Sequence, residues 1–148
     1  MADQKPRYLV FGGKTGWIGQ KVLAMLLASG IEARAADARL EKVEAVAAEI
    51  DAYAPTHVLN CAGLTGRPNV DWCEDHKEEV LRTNVIGTMS LMDLTNARGI
   101  HMTNFATGCI YSYDDEHKIG GKRFTEEDVA NLSLLGGPAA AHAHAVSL

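Results

Sequence analysis

The chain has 148 residues, 47% of them hydrophobic, and a formal net charge of −5. That apolar content suffices for one core and not for two, and the negative balance, without a basic stripe or basic–aromatic interleaving, argues against nucleic acid as a partner. No apolar stretch approaches the roughly 20 residues of a membrane span, and the polar start Met-Ala-Asp-Gln-Lys-Pro-Arg has no apolar signal core behind it, so a cytoplasmic protein without membrane contact is expected. Cys61, Cys73 and Cys109 are odd in number and form no Cys-x-x-Cys pair, which reads as reduced thiols rather than a disulfide frame or a zinc site.

Arg7-Tyr8-Leu9-Val10-Phe11 reads as an apolar strand running into a glycine-rich turn, Gly12 to Gly19, and a helix-forming stretch from Gln20 to Ser29 follows. Ile31 to Ala36 is a short second strand. Leu40, Val43, Val46, Ala47 and Ile50 then recur at helical spacing, and Pro55 announces a third, buried strand over Thr56 to Ala62. From Glu78 to Arg98 the residues Val80, Leu81, Val85, Met89, Met92 and Leu94 are expected on one buried helical face, with Gly99 as the C-cap and His101 to Ala106 as the fourth strand. This β-α-β-α-β-α-β rhythm predicts an α/β fold, a Rossmann-type doubly wound parallel sheet with helices on both faces and ligands at the carboxyl ends of its strands. The glycine turn, the end of the second strand, Asn60-Cys61-Ala62-Gly63 and the Thr107 segment all fall on that edge.

Within the turn, Gly13, Gly16 and Gly19 permit a sharp bend, close approach of the backbone to a pyrophosphate and tight packing of helix on strand. The helix N-terminus adds free N–H groups and the positive end of its dipole. Lys14 and Thr15 offer a cation and a hydroxyl to the same phosphates. The Gly-Lys-Thr ending is not a Walker A loop, because no glycine precedes it at the needed spacing. At the end of a second strand an acidic residue favours a free ribose 2′-hydroxyl and an arginine accommodates a 2′-phosphate. This chain carries both, Asp37 and Arg39, and Asp37 is equally suited to capping the helix that follows.

Gly13-x-x-Gly16-x-x-Gly19, Asn60-Cys61-Ala62-Gly63 closing a later strand, and Asn84 within Arg82-Thr83-Asn84-Val85-Ile86-Gly87-Thr88 together resemble the extended short-chain dehydrogenase/reductases. More narrowly, GKTGWIG, PTHVLNCAGLTGRPNVDWCE, RTNVIGT and NFATGCIY resemble the nucleotide-rhamnose synthase/epimerase-reductases over about residues 7–131. The resemblance implies 3,5-epimerisation of a UDP- or dTDP-4-keto-6-deoxyglucose and hydride transfer from NAD(P)H to its C4 ketone, and a relation to the dTDP-4-dehydrorhamnose reductases. It implies cofactor contacts from Gly13, Lys14, Thr15, Gly16, Trp17, Ile18, Gly19, Arg39, Asn60, Cys61, Ala62, Gly63 and Asn84. Arg39 matches the arginine of the family's Gly-Arg-Leu-Glu pattern, here Ala38-Arg39-Leu40-Glu41, which favours NADPH and leaves NADH open. Thr107 would hydrogen-bond the substrate carbonyl, and Cys109 matches the cysteine implicated as an acid/base in epimerisation; its bland alternative is a small buried hydrophobe. Thr65, Arg67 and Asn69 are candidates for the diphosphate or sugar of the nucleotide-sugar substrate, or else form a proline-stiffened surface loop.

One departure stands beside this match. Reductases of the superfamily use a Tyr-x-x-x-Lys pair, the lysine lowering the tyrosine's pKa so that the phenol can deliver a proton. No Tyr-x-x-x-Lys occurs in these 148 residues, and Tyr113 and Lys118 have the wrong spacing. In the family's register the tyrosine falls near Gly137 and the lysine near Ala141. The domain is therefore expected to occupy 1–131 as a partial NAD(P)-binding unit, followed by a disordered Gly/Ala/His tail over 132–148 in place of the substrate subdomain. Such a break suggests a misread frame, intron read-through or an alternative end. His142 and His144 in that tail lack a third ligand and read as solvated. A sheet ending after the fourth strand would keep an unpaired edge and an incomplete helix layer, which predicts association or aggregation, a homo-oligomer being one form of it. Three readings follow: an enzyme of rhamnose-nucleotide synthesis, a catalytically silent NAD(P)-binding module, or a product that cannot hold its fold.

Overall fold

The computed structural model describes residues 5–69, 71–106, 110–125, 127–129 and 131. The tail over 132–148, with His142 and His144, and the two residues expected to do chemistry, Thr107 and Cys109, lie outside the described residues.

Four parallel strands form one sheet in the order β2-β1-β3-β4: β1 Arg7–Phe11, β2 Glu32–Ala35, β3 His57–Asn60 and β4 His101–Asn104. β1 is flanked on both sides, Leu9 pairing in register with Arg34 of β2 and Val58 of β3. Both of its faces are covered as well, each by its own core, which explains the apolar run from Tyr8 to Phe11, since such a strand has no side to give to polar residues. Its side chains alternate between two cores. Leu9 and Phe11, with Val58, join Leu40, Val46, Ile50 and Leu91 on one face; Val10 and Leu59 meet Val22, Leu23 and Leu26 on the other. Each such fully buried aliphatic or aromatic side chain contributes about 1.5–3 kcal/mol of transfer free energy.

The connections determine which helix covers which face. From β1 the chain steps sideways to β2 through α1, Trp17–Ala28, and then returns past β1 to β3 through α2, Val43–Tyr53. Right-handed crossovers in opposite directions place their helices on opposite faces. Accordingly α1 supplies the second core, while α2 and α5, Thr88–Asn96, supply the first. α1 begins at Trp17, one turn earlier than its apolar residues suggest, so Gly19 lies in its first turn.

The stretch over 78–96 is helical throughout but not uniformly α. α4, Lys77–Val80, passes into a π-helical segment, Leu81–Gly87, and on into α5, after a single preceding turn, α3, at Trp72–Asp75. The buried residues, Val80, Asn84, Gly87, Thr88, Leu91 and Thr95, keep ordinary helical spacing, and most of them are small or polar, whereas Leu81, Met89 and Met92, expected inside, face outward. Gly99 does end this helix: its φ is +64°, its N–H donates to the Asn96 carbonyl at 3.0 Å, and the Ile100 N–H reaches Thr95 O at 2.9 Å. Beyond β4, Phe124 stacks on both Tyr111 (4.4 Å) and His117 (3.9 Å). The His117 backbone N–H, together with its ring, holds the Asp114 carboxyl below the usual carboxylate range. β4 is an edge strand among the described residues. No helix among the described residues is long and apolar enough to cross a membrane.

Candidate functional site

The sheet reverses its winding between β1 and β3, because β1 leads out to β2 and β3 leads out to β4. Open α/β sheets bind ligands in the crevice that this reversal opens at the carboxyl ends of the strands. A crevice of about 320 Å³ lies there, walled by the glycine loop, by Ala36 to Glu41 after β2, by Cys61 to Leu64 after β3, and by Thr83 of the π-helical segment.

The glycine loop owes its shape to backbone crowding. Gly12 has a φ of +77°, and a Cβ on it would lie 2.7 Å from the Cys61 carbonyl oxygen, so the turn out of β1 is seated directly on the end of β3. Around the Gly12 carbonyl the rest of the loop closes. The Gly16 N–H donates to it at 3.0 Å, and Cβ atoms at Gly16 and Gly19 would approach the same oxygen to 2.7 and 2.4 Å. Gln20 adds a side-chain bond of 2.6 Å to the Lys14 carbonyl. Gly16 is the N-cap of α1 and offers no side chain to cap it. The first helical N–H groups lack intrahelical acceptors by geometry and stay available, with the dipole's positive end, for an anion.

Of the residues expected to touch a cofactor, Lys14, Thr15, Gly16, Arg39, Cys61, Ala62 and Gly63 line the crevice. Gly13 and Gly19 are buried beneath the loop, Gly13 against Ala35 of β2. Trp17 and Ile18 stand outward on the first turn of α1, Trp17 being 74% exposed with Lys21 over its ring, and neither is part of the crevice wall. Lys14 forms an ion pair with Asp37, joining the glycine loop to the loop after β2; both side chains are more than half exposed, which limits its contribution to about 0–1 kcal/mol. Thr65, Arg67 and Asn69 are exposed on the loop that continues from Leu64, and Asn69 donates to Asp71 at 2.9 Å.

Asn60 and Asn84 act from underneath. The Asn60 carboxamide accepts the Ala62 N–H (3.1 Å) and donates to Asn104 (2.9 Å) and Thr88 (3.4 Å). Asn84, 3% exposed, accepts the Leu64 N–H at 2.7 Å and donates to the Leu64 carbonyl at 2.9 Å, mimicking a strand partner for a loop that has none. These amides shape the floor of the crevice through the backbone. Asn84→Ala would strand two polar groups of Leu64 and is expected to cost about 1–3 kcal/mol, readable as a lower urea midpoint; an unchanged midpoint would show that water replaces the amide freely.

Burial pushes the Cys61 thiol up to about 11, so it stays protonated near neutral pH and serves as wall rather than nucleophile. Cys73, fully buried beside Val80, is also shifted upward by burial and then by Glu74. Sequence reasoning did not single out Gly12, Leu64, Thr83 or Glu49. Gly12 and Thr83 stood inside the motifs already recognised, whereas Glu49 gave no local signal.

Parallel sheet, glycine turn and helix N-terminus at the switch point define a Rossmann-type dinucleotide-binding fold. The chain belongs to the NAD dependent epimerase/dehydratase family, whose model matches residues 8–143. It is 46% identical over 127 residues to a bifunctional dTDP-4-dehydrorhamnose 3,5-epimerase/dTDP-4-dehydrorhamnose reductase of Arabidopsis thaliana, a match covering 85% of this chain and 42% of that protein. A trifunctional UDP-glucose 4,6-dehydratase/UDP-4-keto-6-deoxy-D-glucose 3,5-epimerase/UDP-4-keto-L-rhamnose-reductase of the same plant is 48% identical over 133 residues, 88% of this chain and 20% of that one. Among solved structures, the UDP-rhamnose synthase of Acanthamoeba polyphaga mimivirus superposes with a TM-score of 0.79 at 29% identity, over 95% of this chain and 50% of that one. The chain thus spans half or less of the length of these relatives.

Proposed function

We propose that the chain is the NADPH-binding portion of a cytoplasmic nucleotide-sugar 3,5-epimerase/4-reductase that makes a rhamnose nucleotide from UDP- or dTDP-4-keto-6-deoxyglucose. The observation that carries this reading is the cradle at the head of α1, where Cβ atoms at positions 12, 16 and 19 would collide with backbone and the helix N-terminus is left without a side-chain cap. Such a surface fits a pyrophosphate, because phosphate oxygens accept from N–H groups that no protein group occupies. Lys14 and Thr15 flank it, and Gly63 and Ala62 form the opposite wall. When bound, the nicotinamide would supply the hydride for the C4 ketone.

This chain's own residues bind and orient. Lys14 engages Asp37, the acidic group that would otherwise favour a bare ribose, and Arg39 stands exposed on the same rim, where it suits a 2′-phosphate; hence NADPH before NADH. Thr65, Arg67 and Asn69 are assigned to the diphosphate and sugar of the substrate, Thr107 to its carbonyl, and Cys109 to proton transfer beside that carbonyl. A second reading, a module that binds dinucleotide but is catalytically silent by itself, is favoured by the absence of a Tyr-x-x-x-Lys pair from these 148 residues.

Calorimetric titration of the purified chain with NADPH and NADH tests the assignment, and saturable binding is expected. Arg39→Ala should weaken NADPH about ten- to a hundredfold, the range of a lost charged hydrogen bond, and NADH far less. Equal losses for both dinucleotides would remove Arg39 from the 2′-phosphate.

A further inference from the structure

The loop that carries Asp37 and Arg39 has no secondary structure of its own, yet it is not held by solvent. Glu49, on the inner side of α2, sends its carboxylate to the end of β2, and its side chain is only 9% exposed. One oxygen accepts from the Arg34 guanidinium (2.9 Å) and from the Asp37 N–H (2.9 Å); the other accepts from the Asp37 N–H (3.0 Å) and the Ala38 N–H (2.7 Å). Arg34 is fixed in turn, its guanidinium 4.5 Å from the centre of the Tyr53 ring. A buried carboxylate that keeps a cation and two backbone donors is compensated, and charge-assisted bonds of this kind are roughly twice as strong as neutral ones.

Two residues further on, Leu40 is buried in the first core, where the inner side of Gly87 lies against it. The loop is therefore pinned at 37–38 by an anion and at 40 by apolar packing, with Arg39 between the pins and exposed at the crevice. Glu49 itself is not part of the crevice wall. We infer that Glu49 is a positioning residue for cofactor selectivity: by holding the Asp37 and Ala38 N–H groups it places the Asp37 and Arg39 side chains where the adenosine ribose is read. This rests on the dinucleotide reading of the crevice.

Glutamine cannot take over this task. Its single carbonyl oxygen can serve either the backbone pair at 37 and 38 or Arg34 with the Asp37 N–H, never all three donors, and in both orientations its NH₂ faces a donor. Aspartate keeps the charge beside Arg34 but draws the carboxylate back by one methylene from the loop. A merely structural role would weaken NADPH and NADH together; a positioning role changes their ratio.

The experiment titrates the full chain and its Glu49→Gln and Glu49→Asp variants with NADPH and with NADH by calorimetry, after thermal melts establish which variants fold. Amide hydrogen exchange is measured on the unmodified chain. The expected result is a preference for NADPH of about tenfold or more in the unmodified chain, one charged hydrogen bond's worth, reduced several-fold or more in either folded variant. Protection of the Asp37 and Ala38 amides above that of neighbouring loop amides is expected alongside. An unchanged ratio in a folded variant, equal losses of both dinucleotides, or amides at 37 and 38 exchanging at the rate of open loop would each overturn the role of Glu49 and leave the cofactor site standing. An unmodified chain that binds neither dinucleotide would overturn the reading of the crevice, and this inference with it.

Discussion

Gly16→Val is expected to abolish saturable binding of NADPH and NADH while leaving a folded chain. A side chain at this position meets protein before it meets any ligand, since its Cβ would lie 2.7 Å from the Gly12 carbonyl oxygen, the acceptor of Gly16's own N–H. That oxygen is backbone, so it cannot swing aside as a flexible side-chain tip does. The loop must open, and opening it turns the α1 N-terminus away from the wall formed by Cys61 to Gly63. The strain of such overpacking is about 1–3 kcal/mol, small against the stability of a domain of this size, roughly 5–15 kcal/mol. The binding loss is larger in proportion, because several charge-assisted bonds to one pyrophosphate share the same geometry and fail together. Calorimetry on the variant, with a thermal melt as control, measures both. If a folded Gly16→Val chain still binds either dinucleotide saturably, the pyrophosphate does not lie on this loop.

The sequence made the central architecture legible where one physical rule acted alone. β1 was legible because a strand buried on both faces is apolar along its covered part, Tyr8 to Phe11, and Gly12 ends it at once. The face of α2 was legible for a similar reason, Val46 and Ile50 lying at helical spacing over the first core. Its start was not. Leu40 continues the apolar period yet precedes the helix, being drawn into the core as the far pin of the Asp37–Leu40 loop, and the helix begins at Val43. The π-helical segment escaped altogether, because a pattern of apolar spacings does not show where one turn takes an extra residue. Met89 and Met92 came out on the wrong side for another reason: the face turned to the core is built largely of small and polar residues, Asn84, Gly87, Thr88 and Thr95, which a pattern of apolar residues passes over. In the candidate site the loop glycines were legible as a pattern, but the positive φ of Gly12 follows from its seat on Cys61, a contact 49 residues away in sequence. Glu49 was illegible for the same reason: its partners include backbone N–H groups, which no side-chain pattern encodes.

The 148-residue chain is expected not to reduce a 4-keto sugar nucleotide at an enzymatic rate even when NADPH is bound. Hydride delivery to C4 leaves negative charge on the ketone oxygen, and that oxygen must gain a proton as the charge develops. A positioned general acid typically supplies about 10²–10⁴-fold. The tyrosines of this chain are Tyr8, Tyr53, Tyr111 and Tyr113, and none has a lysine four residues on. Tyr53 lies on α2 against Arg7 and Arg34, and burial, then Glu32, raises its phenol further above neutrality. Tyr111 donates to the Thr125 and Asp128 carbonyls at 3.2 and 3.0 Å. Cys61, with its thiol held at about 11, offers no proton donor matched to neutral pH either. The hydroxyl of Thr107, the residue proposed for the substrate carbonyl, is far too weak an acid to protonate the product oxygen by itself. Incubating the purified chain with UDP-4-keto-6-deoxyglucose and NADPH, and following loss of the reduced nicotinamide absorbance, should give at most a rate about 10²–10⁴-fold below that of a complete reductase. Turnover within about tenfold of a complete reductase assayed alongside would mean that an acid other than the Tyr-Lys pair works in this site.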